Sequence, residues 1–348
     1  MHLKKKGKAL LTASVVLLTA TLLLLGAMYG FWRSFDSSSV ETDCLVVYTP
    51  HPIEFVKPLV EEFEGRTHIK VKIISGGTGK MTEQLDAGQS IDVMWGGSYF
   101  SVAPYFDMFA DYRSINEADY LPVNRNTEGN MTRFSDVPSI LMVNSDLIGD
   151  IEIKGYEDLL NPALKGKIAF ANPSRSSSSF EHLINMLYAM GQGNPEAGWD
   201  YVKRLCENIG DNLLDSSSEV YNGVTAGKYL VGLTFEEAAV TLRNDGAHIQ
   251  IIYMQEGVVS TPDGIYLLKG AAHPDEARAF IDFLSGYDAQ YLMTQRLGRR
   301  SVREDLQQVN DVPEKSELNI IYPDPQEVLQ NREDWITRFS EIYKGGLS

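Results

Sequence analysis

The stretch that decides the fold runs from Val46 to Lys80 and reads VVYTPHPIEFVKPLVEEFEGRTHIKVKIISGGTGK. A β-branched and aromatic run stops at Thr49 and Pro50, apolar residues then recur at helical spacing, and a second apolar run follows. The helical set is Ile53, Val56, Val60 and Phe63, and the second strand holds Val71, Ile73 and Ile74. A glycine-rich turn comes at the carboxyl end of that strand, where open α/β sheets bind ligands. The stretch therefore predicts a ligand-binding unit in which Thr49 and Thr78 lie near one another.

Further motifs follow in a fixed order, namely DVMWGG at 92–97, KGKIAFANP at 165–173, SSSEVYNG at 216–223 and GLTFEEA at 232–238. Together with the VVY..HP start and the SGGTG turn, this set resembles extracytoplasmic solute-binding proteins of ABC importers. The branch that it resembles includes ferric-iron-binding and sugar-phosphate- or phosphonate-binding members. The similarity extends from Leu45 to about Gly286. It implies an α/β, two-lobed periplasmic-binding-protein type II fold, in which each lobe is a mixed sheet flanked by helices and the ligand cleft lies between the lobes.

Length and charge agree with an exported two-lobed binding protein. The chain has 348 residues, of which 43% are hydrophobic, and is too long for one ordinary core. The formal net charge is −16, and the first 33 residues carry five cations and no acid, so the remainder carries −21. Such an acidic chain argues against nucleic acid or an anionic membrane surface as a partner.

The amino terminus predicts export. An apolar stretch from Ala9 to Trp32 follows a lysine cluster and is long enough to span a bilayer. Residues 1–33 are therefore interpreted as a basic N-terminus and transmembrane anchor, with a cleaved signal peptide as the alternative. Residues 34–43 form a serine-rich linker. Either interpretation places the rest of the chain outside the cytoplasm, in the periplasm or on the outer face of the membrane.

The remaining chain is predicted to divide into 44–137 as the first part of lobe 1, 138–255 as lobe 2, and 256–348 as the return to lobe 1 with C-terminal helices. Ile140–Asn144 is expected to cross between the lobes. Cys44 and Cys206 are left unassigned, because nothing in the sequence shows that they meet. The six histidines lack HxH or HExxH spacing, so neither a metal site nor a cofactor is predicted.

The first candidate binding element is the glycine turn. It is not a nucleotide-binding phosphate loop, since Ile74 stands where that pattern needs glycine and Met81 where it needs Ser or Thr. What survives is flexible backbone with free N–H groups ahead of a helix, which suits an anion. The candidates are Gly77, Thr78 and Gly79. A plain strand-to-helix turn is the alternative.

Two serine-rich turns supply further candidates. Ser176, Ser177 and Ser178 precede a helix with an apolar stripe, and Ser217 and Ser218 lie in a similar turn before a helix from Val220 to Ala226. Hydroxyl and amide groups at helix starts can hold phosphate or carboxylate oxygens without a lysine. A single N-cap serine with solvated neighbours is the alternative for each turn.

Residues at strand ends complete the predicted site. The candidates are Thr49, His51, Trp95, Ser98 and Glu236, and Asp215 and Asp263 are weaker ones. Trp95 can cover a ring face, His51 can bond a hydroxyl or phosphate oxygen, and Glu236 can accept from sugar hydroxyls or pair with an amine. Alternatively, Trp95 belongs to the core and His51 is a solvated turn residue.

The functional hypothesis is a binding protein, not an enzyme. It captures a small anionic solute, a sugar phosphate or phosphonate, and delivers it as a monomer to an ABC permease. Ferric iron is the alternative, but the adjacent tyrosine pair of the iron-binding relatives is missing, because Phe235-Glu236-Glu237 stands there and Tyr221 and Tyr229 are isolated. An exported hydrolase is disfavoured, because the chain lacks a GxSxG elbow and a zinc helix. Ligand sensing for a membrane kinase stays open.

Overall fold

The computed structural model describes residues 44–127, 129–211, 213–306 and 311–346. The predicted anchor at 1–33 and linker at 34–43 lie outside the described residues. Among the described residues, no helix is both long and apolar enough to cross a membrane. The thiols of Cys44 and Cys206 are both free.

Strands and helices alternate along most of the chain. The strands are β1 Leu45–Thr49, β2 Val71–Ser75, β3 Val93–Ser98, β4 Thr132–Asn144, β5 Ile168–Ala171, β6 Leu213–Leu214, β7 Val231–Phe235, β8 Ile249–Ile252, β9 Val258–Leu267, β10 Arg300–Ser301 and β11 Ile320–Ile321. The helices are α1 Ile53–Thr67, α2 Met81–Asp86, α3 Tyr99–Val102, α4 Ser177–Met190, α5 Pro195–Ile209, α6 Ser217–Thr225, α7 Glu236–Asn244, α8 Pro274–Ser285, α9 Tyr287–Arg296 and α10 Pro325–Gly346. Short 3-10 turns include Thr78–Lys80, directly after the glycine turn.

Helix α1 forms as the sequence predicts, with one adjustment of its apolar face. Its buried side chains are Phe55, Val56, Leu59 and Phe63. The helix ends at Thr67, and His68 follows in the left-handed conformation with its N–H bonded to the carbonyl of Glu64, which is a common helix stop. Ile53, predicted on the apolar stripe, is about half exposed, and Phe55 and Leu59 are buried instead.

One mixed sheet connects the strands in the order β2-β1-β3-β9-β4-β7-β5-β6. The pairs β1–β2, β1–β3, β5–β7 and β5–β6 are parallel, whereas β9 runs antiparallel to β3 and β4, and β4 runs antiparallel to β7. Parallel strands linked by helices at both ends of the order, with antiparallel strands between them, give an α/β architecture with two ligand-binding halves.

Strand β4 joins the two halves. Its first residues, from Thr132 to Pro138, pair with β9, and its last, from Ser139 to Asn144, pair with β7 and β8. One core contains α1, α8 and the strands β1 and β3, and another contains α4, α5 and the C-terminal helix α10. Residues at the carboxyl ends of β1, β2 and β3 and at the amino ends of α4 and α6 border a common cavity.

The helix predicted from Val220 to Ala226 begins earlier, at Ser217. The reason is local: Ser216 has an extended backbone and its hydroxyl accepts a bond from the N–H of Glu219, which is N-cap geometry. Helix α4 begins in the same way, with the Ser176 hydroxyl accepting from the N–H of Ser179. Both serine runs thus belong to the first turns of their helices.

Candidate functional site

A cavity lies where the two halves of the sheet meet. Its empty space, counted with the open mouth, is about 580 Å³. It is lined by Pro50, His51, Gly77, Thr78, Gly97, Ser98, Val137, Ser139, Ser176, Ser177, Ser178, Glu181, Ser217, Phe235, Thr261 and Asp263. Eight of these sixteen residues carry hydroxyls. Within the part of the chain that the structure describes, no Lys or Arg lines the cavity. The cavity is therefore rich in neutral hydrogen-bond donors.

Two helix amino termini converge on this cavity. In α4 the Ser176 cap satisfies the N–H of Ser179, and helix geometry leaves the N–H groups of Ser177 and Ser178 without acceptors within the helix. In α6 Ser217 holds the same first position and also lines the cavity. Each helix end carries a partial positive charge of about half an elementary charge. Two such helix ends can accommodate an anion without a cationic side chain.

The glycine turn closes directly onto the segment before α4. The N–H of Gly79 donates to the carbonyl oxygen of Arg175 at 3.4 Å. A Cβ on Gly77 would lie 2.9 Å from that carbonyl oxygen, and one on Gly79 would lie 2.9 Å from the carbonyl oxygen of Ser174. Any larger residue at either position would push the turn away, so glycine is needed for the close approach.

Two buried polar groups on this side of the cavity lack partners. The hydroxyl of Thr78 and the Nε2 atom of His51 have no hydrogen-bond partner, although both residues line the cavity and more than nine-tenths of each is buried. A buried polar atom without a partner costs free energy. Both atoms are accordingly positioned to bind a polar solute.

His51 presents a defined ring nitrogen to the cavity. The guanidinium of Arg299 donates to its Nδ1 atom at 3.3 Å, and burial together with this cation holds the imidazole pKa well below its usual value. A neutral ring that accepts at Nδ1 carries its proton on Nε2. Nε2 is therefore a hydrogen-bond donor near the cavity, and it lies 3.7 Å from the carboxylate of Asp263.

Arg299 is buried and fully engaged. It donates to Glu237 at 2.8 Å, to Asp263 at 2.5 Å and to the Ser135 hydroxyl at 2.8 Å. Its guanidinium also stacks between the rings of Phe55 and Phe134, at 4.8 and 4.9 Å from their centroids. The cation thus neutralises a buried acid pair and orients His51, and it does not line the cavity.

Glu181 is the second carboxylate on the cavity wall. The Thr261 hydroxyl donates to its Oε2 at 2.8 Å, and the Ser98 hydroxyl donates to its Oε1. Burial raises the pKa of this carboxyl to about 7, although the two hydroxyl bonds pull it down, and nearby Asp263 raises it further. Glu181 therefore connects β3, α4 and β9 and is partly protonated at neutral pH.

The serines form a second connection between the halves. The N–H of Ser98 donates to the Ser177 hydroxyl at 3.2 Å, and that hydroxyl donates to Ser101 at 2.9 Å. Ser98 ends β3, whereas Ser177 opens α4, so a strand end and a helix start that are distant in sequence share one hydrogen-bond cluster. The cluster lies at the cavity and is altered if the halves separate.

The comparison with known protein families decides the classification. Residues 44–296 match the family described as bacterial extracellular solute-binding protein. The chain belongs to this family. This solute-binding protein is thus extracytoplasmic, as the motif resemblance predicted, and the type II two-lobed fold is confirmed.

Relatives and solved structures agree with the family. A probable ABC transporter periplasmic-binding protein of Sinorhizobium fredii is 25% identical over 74% of each chain. The periplasmic binding protein AfuA from Actinobacillus pleuropneumoniae, with fructose-6-phosphate bound, superposes with a TM-score of 0.76 at 22% identity, over 86% of this chain and 98% of its own. A two-component system protein that mediates signal transduction superposes with a TM-score of 0.67 at 29% identity, over 83% of this chain and 99% of its own.

Most predicted site residues of this solute-binding protein come together. His51, Gly77, Thr78, Ser98, Ser176, Ser177, Ser178 and Ser217 line the cavity. Thr49 and Ser218 line an adjoining groove with about 1240 Å³ of empty space, which shares His51 and Ser217 with the cavity. Gly79 lies beside the cavity, against Arg175.

Two predicted ligand contacts are corrected. Trp95 is fully buried among Phe55, Phe134 and Phe280, with ring centroids 5.6 to 6.0 Å apart, so it packs in the core and covers no solute. Glu236 is held by Arg300 through bonds of 2.8 and 2.9 Å to both carboxylate oxygens, and its side chain does not line the cavity. A buried carboxylate paired in this way is not available to a ligand.

Sequence reasoning missed Glu181, Thr261 and Arg299. Glu181 lies four residues after Ser177, and this spacing puts both side chains on one face of a helix, so the serine run already contained a signal for it. Arg299 and Thr261 come from segments with no motif of their own. Among the weaker candidates, Asp263 does line the cavity, whereas Asp215 pairs with Arg175 outside it.

Metal ligands are sparse. Within the described ranges, no group of three or more His, Cys, Asp or Glu side chains is arranged to hold a metal ion. Tyr229 is buried, Tyr221 faces the adjoining groove, and the residues after β7 are engaged with arginines. The described residues therefore offer hydrogen-bond donors in the cavity instead of a metal-ligand set.

Proposed function

We propose that the protein captures a small phosphorylated solute, a sugar phosphate or a phosphonate, and presents it to an ABC permease. The observation that carries the proposal is the convergence of the α4 and α6 amino termini on one cavity with unpartnered donors at Thr78 and His51. Backbone N–H groups and hydroxyls can neutralise a phosphate without a lysine.

The acidic residues support an organic phosphate over inorganic phosphate. Glu181 and Asp263 line the same cavity, and carboxylate oxygens accept hydrogen bonds from sugar hydroxyls. A solute with an anionic group at the helix starts and hydroxyls beside these acids uses both parts of the lining. The bound fructose-6-phosphate of AfuA is a solute of this class.

Calorimetry on the purified full-length protein tests the proposal. The titrants are fructose-6-phosphate, glucose-6-phosphate, aminoethylphosphonate, inorganic phosphate, unphosphorylated fructose and ferric citrate. We expect binding of at least one organophosphate, and about 100-fold weaker binding of the matched unphosphorylated sugar, because two helix termini lose their charged partner.

Other patterns would contradict the proposal. If fructose and fructose-6-phosphate bind with equal affinity, the phosphate contributes nothing to binding, which contradicts the proposed anion site. Binding of ferric salt alone, with a coloured complex, would support an iron carrier. If no organophosphate raises the melting temperature, the proposed solute class is contradicted and the family assignment alone stands.

Sensing for a membrane kinase remains the second candidate, favoured by the 29% identity to the signal-transduction structure. Affinity purification from membranes distinguishes the two roles. A permease that co-purifies in the presence of solute supports transport, and a kinase that co-purifies instead supports sensing. The monomeric state, the N-terminal anchor and the lobe boundaries at 137 and 255 stay predictions, and light scattering and protein sequencing of the mature N-terminus test the first two.

A further inference from the structure

Glu181 has an unusual position for an acid in an anion-binding cavity. It lies one helical turn after Ser177, and both residues line the cavity, so its carboxyl is close to the place where the proposed phosphate would be held. The carboxyl accepts hydrogen bonds from the hydroxyls of Ser98 and Thr261. Two hydroxyl bonds can be made to a charged carboxylate or, after rotation of one hydroxyl, to a carboxylic acid.

The surrounding charges do not neutralise it. From β9, Asp263 faces Glu181 and adds negative charge, while Arg299 is committed to Asp263 and Glu237. On its own helix, His182 is bonded to Tyr156 and to the Thr234 carbonyl, and burial lowers its pKa to about 4, so it is neutral. From α10, Arg332 stacks on Phe180 and pairs with Glu333.

A solute anion would therefore meet an acid that has no cation to offset it. Two like charges close together in a cavity with reduced dielectric repel one another, and the repulsion disappears if the acid carries a proton. The raised pKa of Glu181 near 7 means that this proton is available at neutral pH.

We infer that the protein takes up one proton at Glu181 when an anionic solute binds between α4 and α6, so that Glu181 makes the cavity favour anionic solutes in acidic surroundings. The inference rests on the proposed function. The proton comes from solvent and adds to a carboxylate oxygen, and no other bond changes.

The sign of the pH dependence follows from this linkage. Below about pH 7 the free protein already carries the proton, so Glu181 adds no further pH dependence there. As the pH rises above 7, each bound solute must draw a proton from solution, and the dissociation constant rises by up to about tenfold per pH unit.

The test is calorimetric titration of the full chain with fructose-6-phosphate at pH 6, 7 and 8, in pairs of buffers with different ionisation heats. At pH 8 the sugar phosphate is almost fully dianionic, because its second pKa is about 6, so the solute itself contributes few protons. We expect uptake approaching one proton per solute in the wild type at pH 8. Glu181→Gln should show no uptake at pH 8 and nearly the same affinity at pH 7 and pH 8. Glu207→Gln, which changes an exposed acid on α5 that does not line the cavity, should behave as the wild type.

The possible outcomes distinguish failure of the inference from failure of the proposed function. Binding without proton uptake in the wild type overturns the inference and leaves the proposed function standing. The same holds if uptake persists in Glu181→Gln but is lost in Glu237→Gln, since burial also raises the pKa of Glu237 to about 7. Absence of binding by fructose-6-phosphate and every other organophosphate at pH 6 contradicts the proposed function and the inference together. If Glu181→Gln does not fold, absence of uptake in the wild type still overturns the inference, and so does loss of uptake in Glu237→Gln.

Discussion

Helices α4 and α6 begin with nearly the same sequence and the same cap, but their surroundings differ. Ser176 and Ser216 both have extended backbones, and each accepts a 3.4 Å bond from the N–H three residues later. At α4 the next serine, Ser177, is bonded to Ser98 and Ser101 from the other half of the molecule. At α6 the hydroxyl bond is local, between Ser216 and Ser218 at 2.9 Å.

The comparison separates helix capping from the proposed ligand binding, although similar residues serve both. The cap depends on the backbone within one turn, so both serine runs perform it. The second role depends on what the fold places opposite the helix end. Here the glycine turn and β3 are packed against α4, whereas α6 opens partly to the adjoining groove. We therefore expect α4 to provide the stronger half of the anion seat.

The largest expected effect comes from removing one N–H at each helix start. Proline suits the first helical position, and the extended backbones of Ser176 and Ser216 suit a residue that precedes proline. Ser177→Pro should weaken binding of fructose-6-phosphate by about 100-fold and Ser217→Pro by about tenfold, because bonds to a charged group contribute about 1.5–3 kcal/mol. Calorimetry measures both.

Ser177→Ala separates the two groups that this proline removes. It deletes the hydroxyl and keeps the N–H, so its loss should be intermediate. Equal losses in the two proline variants, with unchanged circular dichroism, would show that the contacts of α4 with the other half add nothing to the seat.

A smaller effect should follow from blocking the close approach at α4. Gly79→Ala places a Cβ 2.9 Å from the Ser174 carbonyl oxygen, and Gly77→Ala places one 2.9 Å from that of Arg175. We expect about tenfold weaker binding in each variant, measured by the same calorimetry, because the turn can move away in the open protein but not in the closed one.

The matched control for these glycines is Gly65→Ala. This glycine lies inside α1, and a methyl group added there would have no atom within 4 Å, so alanine should leave binding unchanged and raise stability by about 0.5–1 kcal/mol. If Gly79→Ala binds as tightly as the wild type, the contact with the segment before α4 does not contribute to closure.

The smallest expected difference concerns the caps themselves. Ser176→Ala and Ser216→Ala should each lower the free energy of unfolding by about 1 kcal/mol, measured by urea denaturation, because each removes one equivalent cap bond. If the two alanine variants lose similar free energies of unfolding while the two proline variants lose unequal binding affinity, capping and solute binding are separate at these helices. If Ser176→Ala lowers the free energy of unfolding several times more than Ser216→Ala does, the cap of α4 also supports its contacts with the other half.

Much of the site was predictable because it lies at strand ends and helix starts. The spacing of apolar residues marks these points, and glycine and serine runs mark the turns between them, so His51, Thr78, Ser98 and Ser177 could be expected near one another. The errors at Trp95 and Glu236 have one cause. Residues next to a turn can point to either side of the sheet, and local sequence does not say which side holds a partner.

The sequence by itself determined the alternation of strands and helices, the caps of α4 and α6, the flexible turn at Gly77 and the acidic charge, since each depends on neighbours within a few residues or on composition alone. Only the tertiary structure decided that Arg300 neutralises Glu236, that Arg299 orients His51, and that Glu181 meets Ser98 and Thr261. The physical reason is that a buried charge is stable only with specific partners, and these come from segments up to 248 residues apart, whose meeting depends on the packing of the whole sheet.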